Sequence, residues 1–102
     1  MHKLLTKEIE AALPSLYSQE SVVDPMVVCK FFTPWTSWTW FAIEGTREDG
    51  DVMFFGLVEG LEPELGYFVL SELEALRGPH RLRIERDIHF TPRPLSAVRK
   101  AA

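Results

Sequence analysis

Trp38-Thr39-Trp40-Phe41-Ala42-Ile43-Glu44, then a polar turn, then Val52-Met53-Phe54-Phe55-Gly56-Leu57-Val58-Glu59, is the stretch that decides the fold. Both runs are rich in β-branched and aromatic residues, which suit a pleated, packed surface. Side chains alternate along an extended chain. Trp38, Trp40 and Ala42 therefore share one face, and Thr39, Phe41 and Ile43 share the other. Both faces are largely apolar, which predicts a central strand covered on both sides. Between the runs, Gly45 to Asp51 is polar and contains Asp49-Gly50, a strong signal for a tight hairpin. Gly56 marks a bulge or a close packing contact.

Working outward, Met26 to Thr33 predicts the preceding strand, joined through a loop at Thr33-Pro34-Trp35-Thr36-Ser37. Three sequential strands with short connections make an antiparallel meander. Upstream, Thr6 caps a short helix through Leu13, and Pro14 stops it. Pro14 to Pro25 is turn-like, with Leu16, Tyr17, Val22 and Val23 as anchors. Downstream, Glu59 to Gly66 reads as an acidic loop and Tyr67 to Leu70 as a brief strand. Ser71-Glu72-Leu73-Glu74 fits a capping box, opening a helix that ends near Arg77 ahead of Gly78-Pro79. Leu82 to Phe90 alternates as a strand, with Leu82, Ile84, Ile88 and Phe90 inward. Pro92 and Pro94 break it, and Leu95 to Lys100 forms a last helical turn. The expected class is α+β: an antiparallel sheet meander with short helices packed on one face.

With 102 residues, 46% hydrophobic and 25% charged, the chain reads as one folded domain over residues 1–102. No segment reaches the roughly 18 continuous apolar residues of a membrane helix, and Met1 to Glu10 holds no apolar run fit for a secretory signal. The expected compartment is the cytoplasm. Cys29, the single cysteine, excludes an internal disulfide and a cysteine-only metal site; its apolar neighbours make it a buried thiol. The net charge of −4 is divided. Residues 1–76 carry 13 acidic and 4 basic side chains, and residues 77–102 carry 2 acidic and 7 basic ones. Such asymmetry marks either a partner surface or a basic tail folded back on an acidic sheet.

Several runs in fixed order carry a family resemblance. They include Lys30-Phe31-Phe32-Thr33-Pro34, Trp38-Thr39-Trp40, Phe54-Phe55-Gly56 and Glu64-Leu65-Gly66-Tyr67-Phe68. Ser71-Glu72-Leu73-Glu74, Ile84-Glu85-Arg86-Asp87 and Phe90-Thr91-Pro92-Arg93-Pro94-Leu95 complete them. Over nearly its whole length the chain resembles the bacterial domain of unknown function, family 2958. The resemblance implies a small protein of plasmids and integrative elements, found near antirestriction and conjugation functions. It implies no catalytic residues and no cofactor.

Two constellations are candidates for chemistry. Glu44 and Glu59 lie at the ends of neighbouring strands, with Asp51 in the adjoining turn, and oxygen ligands there suit magnesium or manganese. Their spacing matches no known metal loop. Glu85, Asp87 and His89 share one strand face, where a carboxylate beside a histidine suits a general base, but a structural ion-pair ladder on an exposed strand face is the favoured reading. A binding surface is the other class: Trp35 as an exposed loop anchor, with Arg81, Arg83 and Arg93 from the basic tail. The leading expectation is a non-enzymatic accessory protein of a mobile element that binds a protein partner, such as a host-defence or regulatory component. The alternative is a metal-dependent enzyme or a binder acting on nucleic acid.

Overall fold

The computed structural model describes residues 3–99. The two decisive runs become β3 (Thr39–Glu48) and β4 (Asp51–Glu59). They are joined by only two residues, Asp49 (φ 51°) and Gly50 (φ 81°). Two successive positive φ values define a type I′ turn, whose twist matches that of the strands it joins. The hairpin arms thus reach further into the expected turn than the sequence suggested.

Around this hairpin the sheet has the order β5-β4-β3-β2-β6, antiparallel throughout. Here β2 is Cys29–Phe32, β5 is Pro63–Val69 and β6 is Glu85–Arg86. A separate two-stranded ribbon pairs β1 (Met26–Val27) with β7 (Arg93–Pro94). Helix α1 (Lys7–Ala12) is capped by Thr6, whose hydroxyl accepts from Ile9 N at 3.1 Å. Helices α2 (Leu70–Ala75) and α3 (Leu95–Val98) are single short turns. The structure is α+β, as expected.

The sheet buries both faces. One face carries Phe31, Trp40, Ala42, Val52, Phe54 and Phe68, covered by Leu13 after α1 and by Leu70 and Leu73 of α2. The other carries Phe41, Ile43 and Leu57, covered by Val27 of the ribbon and Leu95 of α3. Helices α1 and α2 thus share one face, while α3 and the ribbon close the opposite one. A bulge between Ala42 and Glu44 makes Ile43 an extra residue opposite Phe55. The bulge sends Glu44 to the same side as Phe41 instead of Ala42. Gly56 is the close approach: a Cβ there would lie 1.8 Å from Phe41 O.

Several expectations are corrected. The strand expected over Met26–Thr33 breaks at Val28, because Val27 and Cys29 are buried in different cores. Val28 N instead donates to Ala42 O at 2.8 Å. The acidic loop shrinks, since Pro63 to Gly66 belong to β5; proline and glutamate are tolerated there because β5 is an edge. Ser71 makes no capping box: α2 starts at Leu70 with no cap from its own side chains. The strand expected over Leu82–Phe90 keeps only Glu85–Arg86. Ile84 is buried, but Leu82 and Ile88 are exposed. Tyr17, Val22 and Val23, read as anchors, are also exposed.

Candidate functional site

Residues 14–19 form a strap along the part of β3 that β2 leaves unpaired. Gly45 N donates to Pro14 O at 2.9 Å, and Leu16 N donates to Thr46 Oγ1 at 2.9 Å. Next, Tyr17 N and Gln19 N each donate at 2.8 Å to the two carboxylate oxygens of Glu44. Tyr17 has φ 71°, so its N–H groups curl into a small anion-binding concavity, and the protein's own Glu44 fills it. Glu44 is only 3% exposed. Its role here is to hold a loop.

The strap encloses a cavity of about 330 Å³ on the second face of the sheet. Phe55 of β4, Leu65 and Tyr67 of β5, and Tyr17 and Val22 of the strap segment line it, with Glu20 and Arg99 at the rim. Tyr67 stacks at an angle on Phe55 (5.0 Å between centroids) and meets Tyr17 at 6.3 Å. Partial desolvation, then the Tyr17 hydroxyl and the charges of Glu20 and Glu44, push the Tyr67 phenol above its ordinary range. The ring therefore stays neutral and acts as a hydrogen-bonding aromatic. Leu65 and Tyr67 remain 44% and 53% exposed, and Val23 is wholly exposed.

The three acidic candidates are not brought together. Glu44 holds the strap. Asp51 lies at the hairpin turn and accepts from Val52 N, Ser71 N and Ser71 Oγ at 2.8, 3.1 and 2.5 Å, capping α2 from across the chain. Glu59 pairs with Thr39 at the opposite end of β4. No group of three potential ligands occurs among the described residues. Asp24 repeats the Asp51 device, accepting from Ser96 N and Oγ at 2.9 and 2.6 Å to cap α3. Hydrogen bonds from the paired serine hydroxyls are the main cause holding both aspartates below the usual carboxylate range.

Glu59 does lie in a second, polar cleft of about 310 Å³ with Lys30, Asp87, His89 and Arg93. There Asp87 faces Lys30 at 3.7 Å and accepts from the His89 backbone N–H at 2.9 Å, so its bonds do not go to the imidazole. Glu85 sits apart and exposed on β6. Arg93 lies over the Phe90 ring at 4.6 Å.

Trp35 is not an exposed anchor. It is half-buried on the first core, and a Cβ at Gly78 would come within 2.3 Å of its ring. It therefore braces the loop that carries Arg81 and Arg83, both exposed. His80 and Arg81 in that loop have φ of 56° and 64°. Among the described residues, the basic side chains of the tail do not fold back into ion pairs. The salt bridges among the described residues are Lys30–Asp87 and Arg47–Glu10, and neither uses Arg81, Arg83, Arg93 or Arg99; Lys100 lies outside the described residues. No described helix is long and apolar enough to cross a membrane.

The family described as Protein of unknown function (DUF2958) matches residues 4–102. The chain belongs to this family. No curated protein and no solved structure matches the chain. Every run that carried the resemblance falls within the matched residues. In the structure these runs supply the core strands β2 to β5, the cap partner Ser71 and the α3 start at Leu95. For this member of the family, its motifs are therefore largely those of the fold. The cavity residues Val22 and Val23 fall outside them. Their only sequence signal was an apolar pair in an otherwise polar stretch.

Proposed function

We propose that the protein is a non-enzymatic accessory of a mobile genetic element that works in the cytoplasm by binding a protein partner, a host-defence or regulatory component. The mobile-element setting is what the family resemblance implies. The observation that carries the binding reading is the cluster of exposed large apolar side chains, Tyr17, Val22, Val23, Leu65 and Tyr67, around the cavity beside β5. A contiguous exposed apolar patch with a polar rim is characteristic of an interaction site. Its exposed aromatics, Tyr17 and Tyr67, resemble the anchors that dominate interface energetics. Of the three candidate metal-binding carboxylates, Glu44 tethers the strap and Asp51 caps α2, while Glu59 lies at the opposite end of β4.

The test is a photo-reactive residue placed at Tyr67 in cells of the native host, with one at Glu72 on α2 as control. A single protein adduct from position 67 and none from position 72 supports the reading. A second reading, nucleic-acid binding through the exposed Arg81 and Arg83, predicts a salt-sensitive gel shift. Micromolar DNA binding lost in an Arg81→Ala/Arg83→Ala variant would replace the first reading with the second.

A further inference from the structure

The register of the sheet shows which backbone groups of β5 are free. In a two-residue hairpin the closing pair, here Glu48 and Asp51, exchanges both backbone hydrogen bonds. Asp51 therefore points its backbone at β3. Steps of two from Asp51 reach Met53, Phe55 and Leu57, so the alternate residues Phe54, Gly56 and Val58 point theirs at β5. Their partners Phe68, Gly66 and Glu64 are bonded inward. Leu65 and Tyr67 then present their N–H and C=O groups outward, as does Pro63, which has no N–H to lose. Beyond the ladder, neither Leu65 nor Tyr67 has a backbone partner among the described residues. The edge is open.

Each side of this edge offers different chemistry. On the second face lies the apolar cavity, with Leu65 and Tyr67 at its mouth. On the first face lies an open hollow of about 430 Å³ bordered by Trp38, Val58, Glu62 and Glu64. Gly66 leaves free space above it, since a Cβ there would meet nothing within 4 Å. Lysine or arginine fits this hollow, facing two carboxylates and an indole. A second copy of the chain is a poor occupant: it would bring another Glu62 and Glu64 to the same edge. Residues 1–76, which include β5, are strongly acidic, with 13 acidic against 4 basic side chains.

Resting on the protein-binding reading above, we propose that β5 takes up an extended segment of the partner as a sixth strand, with apolar side chains alternating with lysine or arginine. Strand addition gains affinity from main-chain bonds and specificity from alternate side-chain pockets. The apolar set enters the cavity beside Tyr67. The cationic set faces Glu62, Glu64 and Trp38.

The probe is an acetylated, amidated hexapeptide alternating valine and lysine, followed by amide hydrogen exchange in the intact protein. Without peptide, the Leu65 and Tyr67 amides should exchange quickly while Glu64, Gly66 and Phe68 are protected. Saturating peptide should slow Leu65 and Tyr67 by at least about tenfold. A glutamate-for-lysine peptide, or one N-methylated along its bonding edge, should give no protection. Glu62→Lys/Glu64→Lys, a surface change that leaves the ladder intact, should reverse the preference toward the glutamate peptide. Equal protection by either control peptide, or no protection of Leu65 and Tyr67 at about 1 mM peptide, overturns strand addition. If the adduct at position 67 still forms in that case, the protein-binding reading survives on its own. Loss of that adduct removes both.

Discussion

Replacing Glu44 with alanine tests whether one carboxylate organises the whole cavity wall. Glu44 accepts two backbone N–H groups at 2.8 Å, one from Tyr17 in a left-handed conformation. A hydrogen bond to a charged group contributes about 1.5–3 kcal/mol, and losing it leaves a donor to be resolvated. Truncation should therefore cost roughly 3–5 kcal/mol, less whatever water recovers at the partly buried N–H groups. Against a typical total of about 5–15 kcal/mol that is a large fraction. With a urea slope of about 1.5 kcal/mol per M, the midpoint should fall by about 2–3 M. Glu44→Gln keeps one acceptor but turns an amide NH₂ toward the second N–H, so it should lose about 2 kcal/mol. Hydrogen exchange should show the Tyr17 and Gln19 amides opening in both variants. A loss under about 1 kcal/mol in Glu44→Ala, with those amides still protected, would refute the assignment of Glu44 as the strap's tether.

Other outcomes follow from the same geometry. Gly56→Ala should cost about 3 kcal/mol or more in denaturant melts, because its Cβ meets the Phe41 backbone and no side chain can yield there. Cys29 is buried, and its thiol is pushed up to about 12 by burial, against an opposing pull from Arg86. A thiol reagent at pH 8 should thus label it only as fast as the fold opens. Asp24 and Asp51 are held below the usual range in the folded state. Their contribution is present above pH about 4 and fades as pH falls through the lowered values. Asp24→Asn and Asp51→Asn should each flatten the acid limb of a stability–pH curve; an unchanged limb would show that the caps do not discriminate charge.

Much of the sheet was legible because its signals are local. The Asp49-Gly50 turn, the two-faced apolar run at Trp40 to Ile43 and the Thr6 cap need only neighbours in sequence to be read. What escaped depends on distant partners. Ser71 has the sequence of a capping box, yet it bonds Asp51, 20 residues upstream. Pro63, Glu64 and Gly66 disfavour a strand by propensity, and only an edge position admits them. Arg81 and Arg83 carry the charge expected of partners for the acidic sheet, but both are exposed and neither forms an ion pair among the described residues. The cavity was nearly invisible in sequence, since Val22, Val23, Leu65 and Tyr67 come from two segments joined only by the strap.

The bulge at Ile43 makes the gene unequally tolerant of one-codon losses. Deleting Ile43 would remove the bulge and leave the strand beyond it in place, with Glu44 still opposite Phe55 and Gly45 opposite Phe54, at the cost of one buried side chain. Deleting Gly45 instead would bring Thr46 opposite Phe54 and into the aromatic core, taking its hydroxyl away from Leu16 N. The same deletion at Leu61, in the short exposed turn before β5, would only shorten a connection. Length variation among relatives should therefore collect at residues 60–62 and be absent from residues 44–47.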